Sequence, residues 1–151
     1  MNKKGFTLVE LLVSFILVTI VIVFFTKTII VSVQKENKLL TMQEYTAFEA
    51  TFLKSVEKET DSMGNKTVSE SGNNITISGT DTSSKTLSLI TTGEKAISFN
   101  NIIYPLPNST DFRLVNGKYY YVYRVNANKI IINIYVKHEN TNKTISIILN
   151  N

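Results

Sequence analysis

Hydrophobic and polar positions divide the chain into three regimes. Residues 6–33 are mostly apolar, and from Leu11 to Phe25 only Ser14 and Thr19 interrupt the run. That exceeds the roughly 20 residues a helix needs to cross a bilayer at about 1.5 Å per residue. Residues 34–60 turn polar, yet Met42, Tyr45, Phe48, Phe52 and Val56 recur every third or fourth position, with Leu53 beside them. This spacing draws one apolar stripe along a helix, and Glu44, Glu49, Lys54, Glu57 and Lys58 fall largely off it. Neither Gly nor Pro occurs between Phe6 and Met63, so the first natural stop is Gly64, after Asp61 and Ser62. The two stretches together predict one continuous helix of roughly 50 residues, about 80 Å long.

From residue 61 the period changes to that of strands. Residues 61–85 are rich in Gly, Ser, Thr and Asn, with one short strand expected at Ile75-Thr76-Ile77. Further strands are expected at 86–91 and 96–104, before a turn region around Pro105 and Pro107. Asn116-Gly117, set between 112–115 and 118–123, is the preferred pair for a two-residue type I′ hairpin. Turns at 126–128 and 139–142 then delimit strands at 129–137 and 143–149, completing an antiparallel meander. Ile130, Ile132, Ile134 and Val136 share one face, as do Ile145, Ile147 and Leu149. The amphipathic half of the helix is the expected cover for those faces. The fold class predicted is α+β, a long N-terminal helix packed on a small antiparallel sheet, a lollipop in outline.

Composition mainly excludes. A chain of 151 residues has room for one modest domain beyond the span. Without cysteine there are no disulfides and no thiol chemistry, and the lone His138 cannot build a His-rich metal site. Asp61, Asp81 and Asp111 are too dispersed for a calcium loop. No phosphate-binding Gly-rich loop or nucleophile elbow occurs, so no cofactor, no metal and no enzymatic activity are expected. His138, beside Glu139 at a turn, is expected to be solvated. Asn65, Asn74, Asn108 and Asn142 each open an N-x-S/T pattern, read as an accident of an Asn- and Thr-rich composition.

The formal net charge of +4 shrinks on inspection. Lys3 and Lys4 precede the apolar run, and beyond Val33 there are 13 basic against 11 acidic residues, about +2. Along the chain these charges look scattered, so nucleic-acid binding gains little support from them. Tyr119-Tyr120-Tyr121-Val122-Tyr123 with Arg124 could stack bases or sugars, although a strand with half its tyrosines packed is the simpler reading. Lys3 and Lys4 place the N-terminus in the cytoplasm and the bulk of the chain outside. No A-x-A cleavage pattern follows the apolar run.

The opening residues, Lys3-Lys4-Gly5-Phe6-Thr7-Leu8-Val9-Glu10, resemble the leader and mature start of type IV pilins and pseudopilins. The resemblance is strong over about the first 60 residues. It implies a cleaved leader at 1–5, cut between Gly5 and Phe6 by a prepilin peptidase that then methylates Phe6. A transmembrane and assembly half at 6–33, an amphipathic half at 34–60 and an extracellular β head at 61–151 would follow. It also implies that Glu10, fifth after the cut, neutralises the α-amine of a neighbouring subunit during filament assembly. A charge in hydrocarbon costs about 2.5–3.5 kcal/mol on insertion scales and calls for a partner. A local role stays open, because Glu10 lies in the first helical turn, where the helix dipole favours an anion. Expected partners are other pilin-like subunits, the peptidase and an inner-membrane assembly platform.

Departures refine the expectation. Many major pilins carry a proline where this chain has Lys27, and the C-terminal cysteine pair of Gram-negative pilins is absent. These differences favour a minor subunit, from a Gram-positive system. The alternatives are a competence pseudopilin that contributes to DNA binding and uptake, or a membrane-anchored extracellular sensor or adhesin.

Overall fold

The computed structural model describes residues 7–151. The readings placed on the leader, Gly5 and Phe6 lie outside the described residues. The chain divides into two compact units, residues 1–40 and Thr41–Asn151.

Helix α1 runs from Leu8 to Thr60, 53 residues without a break, as the absence of Gly and Pro predicts. Within the first unit every described residue is exposed. Its threonines satisfy their hydroxyls inside the helix: Thr19, Thr26 and Thr28 donate to the carbonyls of Phe15, Ile22 and Phe24 at 2.8–2.9 Å. That pattern suits a segment whose polar groups must find partners without water.

In the second unit most of the predicted stripe is buried, Tyr45, Phe52 and Val56 fully, with Phe48 and Leu53 partly buried against them, but its first member, Met42, stays 43% exposed. A one-turn 3-10 segment, Asp61–Met63, ends the helix at Gly64. Gly64 sits at φ 65° and ψ −147°, a region open essentially to glycine alone.

Nine strands follow in two antiparallel sheets. The first is a five-stranded meander of β1 (Lys66–Ser71), β2 (Asn74–Gly79), β3 (Ser84–Ile90), β4 (Ala96–Phe99) and β5 (Ile102–Pro105). Two of its features correct the sequence reading. The stretch 96–104 is not one strand but two, reversed at Asn100 and Asn101, both at positive φ. Asn tolerates that conformation better than most residues, so the Asn-Asn pair makes the turn. β1 was not expected at all, because its sequence is polar and only Lys66 among its residues is fully buried.

The second sheet contains β6 (Thr110–Phe112), β7 (Tyr120–Asn126), β8 (Lys129–His138) and β9 (Thr141–Asn150). The predicted meander β7-β8-β9 is present. Asn116-Gly117 does form a tight turn, with Val115 and Lys118 bridged across it. The long hairpin expected around it does not form. β6 and β7 pair with successive parts of β8 along one edge, β6 with residues 136–138 and β7 with residues 129–134. Tyr135 closes the gap between them, its carbonyl accepting from Arg113 N–H at 2.9 Å and its N–H donating to Tyr119 at 2.8 Å. The Asn-Gly turn is thus the tip of a loop inserted into an edge, not the end of a paired hairpin.

The inner faces of both sheets and the Tyr45–Thr60 stripe share one core. Ile130, Ile132, Ile134, Val136, Ile145, Ile147 and Leu149 are all buried, as their alternation predicts. Ile75, Ile77, Leu87, Ile97 and Phe99 contribute the other side. His138 corrects the reading that it is solvated. It is the last residue of β8, only 2% exposed, with Nδ1 and Thr110 Oγ1 hydrogen bonded at 2.7 Å.

Candidate functional site

The first turn of α1 is built on Thr7 and Glu10. Thr7 is the N-cap: its carbonyl accepts the first helical hydrogen bond, from Leu11 N–H at 3.2 Å. Its side-chain oxygen accepts from Glu10 N–H at 3.3 Å. Glu10 Oε2 in return accepts from Thr7 N–H at 2.9 Å and from the Thr7 hydroxyl at 3.0 Å. This reciprocal arrangement is a capping box, in which an N-cap Thr and a Glu three residues later each satisfy a backbone donor of the other. The pattern T-x-x-E ahead of an apolar run signals it in the sequence. The structure therefore gives Glu10 a defined place at the start of the helix, two or more bonds into its own chain's N-cap. Thr7 directly follows Phe6, so the Glu10 carboxylate is anchored one residue from the expected cut.

Beyond that turn the helix offers a largely apolar, uncovered surface. Leu8, Leu12, Phe15, Ile20, Phe24 and Ile29 are each more than half exposed, and they point to all sides of the helix. Fully burying one such side chain is worth about 1.5–3 kcal/mol. A surface this apolar demands lipid or neighbouring helices. The helix is long and apolar enough to cross a membrane.

The second unit supplies little that resembles a reaction centre. Among the described residues no group of three His, Asp or Glu side chains could hold a metal. A groove of about 340 Å³ lies between β9 and the end of α1, lined by Leu53, Val56, Thr60, Lys66 and Ile147 among others. Its amine is already engaged, since Lys66 Nζ donates to the carbonyls of Gly64 at 3.1 Å and Asn150 at 2.6 Å. That pair of bonds ties the start of the first sheet to the end of the second.

Of the residues singled out in the sequence, Glu10 is placed at the helix start, and Gly5 and Phe6 lie outside the described residues. Neither a curated protein nor a solved structure matches the chain. Residues 1–26 match the family described as the prokaryotic N-terminal methylation motif, the class III prepilin leader, a match over the start of the chain that is consistent with a type IV pilin-like protein.

Proposed function

We propose that this protein is a minor subunit of a type IV pilus or pseudopilus, held in the membrane by α1 and assembled through it. The observation that carries this reading is the apolar, uncovered helix directly behind a prepilin motif. A prepilin peptidase cuts between Gly5 and Phe6 and methylates Phe6. The mature subunit then waits in the membrane with its β head at the cell surface. An assembly platform lifts it into a bundle of like helices, where packing between apolar side chains replaces lipid contacts. Glu10 neutralises the α-amine of a neighbouring subunit and so sets axial register. The role of the head is structural.

The absence of a helix-breaking residue at Lys27 and of cysteine favours a minor over a shaft subunit. Mass spectrometry of the N-terminus tests the reading. The expected result is a mature chain starting at methylated Phe6 in cells that carry the peptidase. An unmethylated Met1 start in those cells overturns it.

A further inference from the structure

The second sheet buries one face and leaves the other in solvent. Alternation puts Tyr121 and Tyr123 of β7 on that outer face, 55% and 39% exposed. The register places Tyr121 beside Asn133 and Tyr123 beside Ile131, and Ile131 in turn beside the exposed Ile148. Tyr135 shares the face two residues from Asn133, and the Arg113 guanidinium lies over its ring at 5.7 Å.

The charges of this region are mostly of one sign. Between Asp111 and Glu139 the sequence holds Arg113, Lys118, Arg124, Lys129 and Lys137 and no carboxylate, and beyond Glu139 only Lys143 is charged. Of the acidic residues of the second unit, Asp111 lies on β6 across from Lys137 and is engaged by Lys95 at 2.6 Å; the others lie on α1, in the 3-10 turn, on the first sheet and in the loops. From residue 106 onward six basic residues face two acidic ones, whereas residues 34–105 hold seven basic and nine acidic. Lys118 is engaged with Glu70 at 3.3 Å. Among the described residues Arg113, Lys129 and Lys137 form no ion pair, and the odd-numbered positions of β8 put both lysines on the face of Tyr135.

We propose that this outer face binds a single strand of nucleic acid, with bases stacked on Tyr121 and Tyr123 and phosphates facing Arg113, Lys129 and Lys137. The two tyrosine rings lie 6.3 Å apart and tilted by 40°, side by side and not stacked on each other, so each has a face to offer. Stacking on tyrosine is indifferent to sequence, because every base has a π-face, while unpaired cations follow the backbone. Asn133 adds a polar group between the rings and the cations; its Oδ1 accepts from Ser146 at 2.8 Å, leaving its amide nitrogen for a base edge. A duplex keeps its base faces inside its own stack and cannot use the tyrosines.

The test is fluorescence anisotropy of a labelled oligothymidine of about 15 nucleotides, within the site size of one stacking domain, with the full chain in detergent micelles. Binding is expected, weakening as salt rises. Replacing both tyrosines (Tyr121→Ala with Tyr123→Ala) is expected to weaken it about tenfold or more, whereas the Phe replacements hold it within about twofold. Lys129→Gln and Lys137→Gln should each flatten the plot of log affinity against log salt by about 0.7. These side chains lie on the surface, so unchanged thermal unfolding of the variants confirms an intact head. Three results overturn the proposal: no binding of oligothymidine, equal affinity for a duplex of the same length, or equal affinity of wild type and the double Ala variant. An acidic polysaccharide that binds where oligothymidine does not assigns the face to a different polyanion and likewise overturns it.

Discussion

His138 and Tyr45 lie ring against ring, with centroids 5.0 Å apart and planes tilted by 31°. The contact joins the last residue of β8 to α1 at the edge of the core. Thr110 holds the other side of the imidazole through Nδ1. Neither the Tyr45 hydroxyl nor His138 Nε2 has a hydrogen-bond partner among the described residues. Burial pushes the Tyr45 phenol well above its ordinary pKa, and the nearby Glu49 adds to the shift. A buried polar group without a partner costs about 1–3 kcal/mol. Tyr45→Phe keeps the ring contact and removes the hydroxyl, so it is expected to raise stability by about 1 kcal/mol. Urea unfolding of the detergent-solubilised chain, followed by near-UV circular dichroism, measures this. A loss of similar size would show that the hydroxyl is satisfied in solution.

Phe52 is the centre of the helix-to-sheet packing. It is fully buried, stacked on Phe48 at 6.2 Å and edge-on to Tyr104 at 5.4 Å. The Tyr104 hydroxyl is also hydrogen bonded to that of Ser55, so α1 meets β5 through both rings and hydroxyls. Phe52→Ala removes an aromatic side chain from a closed core and should cost about 3–5 kcal/mol. That is a large share of the about 5–15 kcal/mol that holds a domain together. Phe15→Ala, on the uncovered part of the helix, should leave head unfolding unchanged. Limited proteolysis of both variants separates the two outcomes: Phe52→Ala is expected to expose the second unit to rapid cleavage, and Phe15→Ala to match wild type.

Carboxylates of opposite behaviour set the response to acid. Glu59 accepts from Lys85 at 2.8 Å and from Asn100 at 3.0 Å, and these bonds hold its carboxyl below the ordinary range. Asp111 is held down in the same way by Lys95. A lowered folded-state pKa contributes stability above the unfolded value, about 4 for carboxylates, and that stability is lost as pH falls through the folded value. Glu49 runs the other way, since burial raises its pKa and Lys143 only partly opposes the shift. Its ionised form therefore carries a cost that appears as pH rises above the ordinary carboxylate value. Melting temperature followed across the acid range should show both signs. Glu59→Gln is expected to flatten the loss of stability below about pH 4, and Glu49→Gln to raise stability at neutral pH. A Glu49→Gln variant that melts lower at neutral pH would contradict the burial account.

Periodicity decided which parts of this fold were legible in the sequence. The stripe from Tyr45 to Val56 and the alternating isoleucines of β8 and β9 repeat a simple spacing, and burial follows it residue by residue. His138 belonged to the same series, two residues beyond Val136, and continuing the alternation would have placed it inside. Its neighbour Glu139, at positive φ in the turn, drew it towards solvent instead. β1 carries no apolar alternation, because it lies at the edge of its sheet and is held by backbone pairing with β2. The Asn-Gly turn was readable, but its strands were not, since local turn chemistry says nothing about which distant strand claims β6. At the helix start the motif and the T-x-x-E pattern were both plain in the sequence. The cationic face of the second sheet was hidden by a charge count that also took in the net-negative second half of α1 and a first-sheet region with no net charge.

The capping box allows the two roles of Glu10 to be separated. Gln serves at the third helical position as Glu does, because it too can accept from the N-cap N–H. Glu10→Gln therefore keeps the local bonds to Thr7 and removes the charge. Thr7→Val does the reverse: it removes the capping hydroxyl, at a cost of about 0.5–2 kcal/mol in helix-end stability, and leaves the carboxylate. If Glu10 acts between subunits through its charge, Glu10→Gln should insert in the membrane and be processed yet fail to enter filaments. Thr7→Val should then be incorporated at near wild-type levels. Immunoblots of sheared surface filaments against membrane fractions measure both variants. If Glu10→Gln assembles normally while Thr7→Val does not, the residue acts as a helix cap, and the charge pairing is removed from the mechanism.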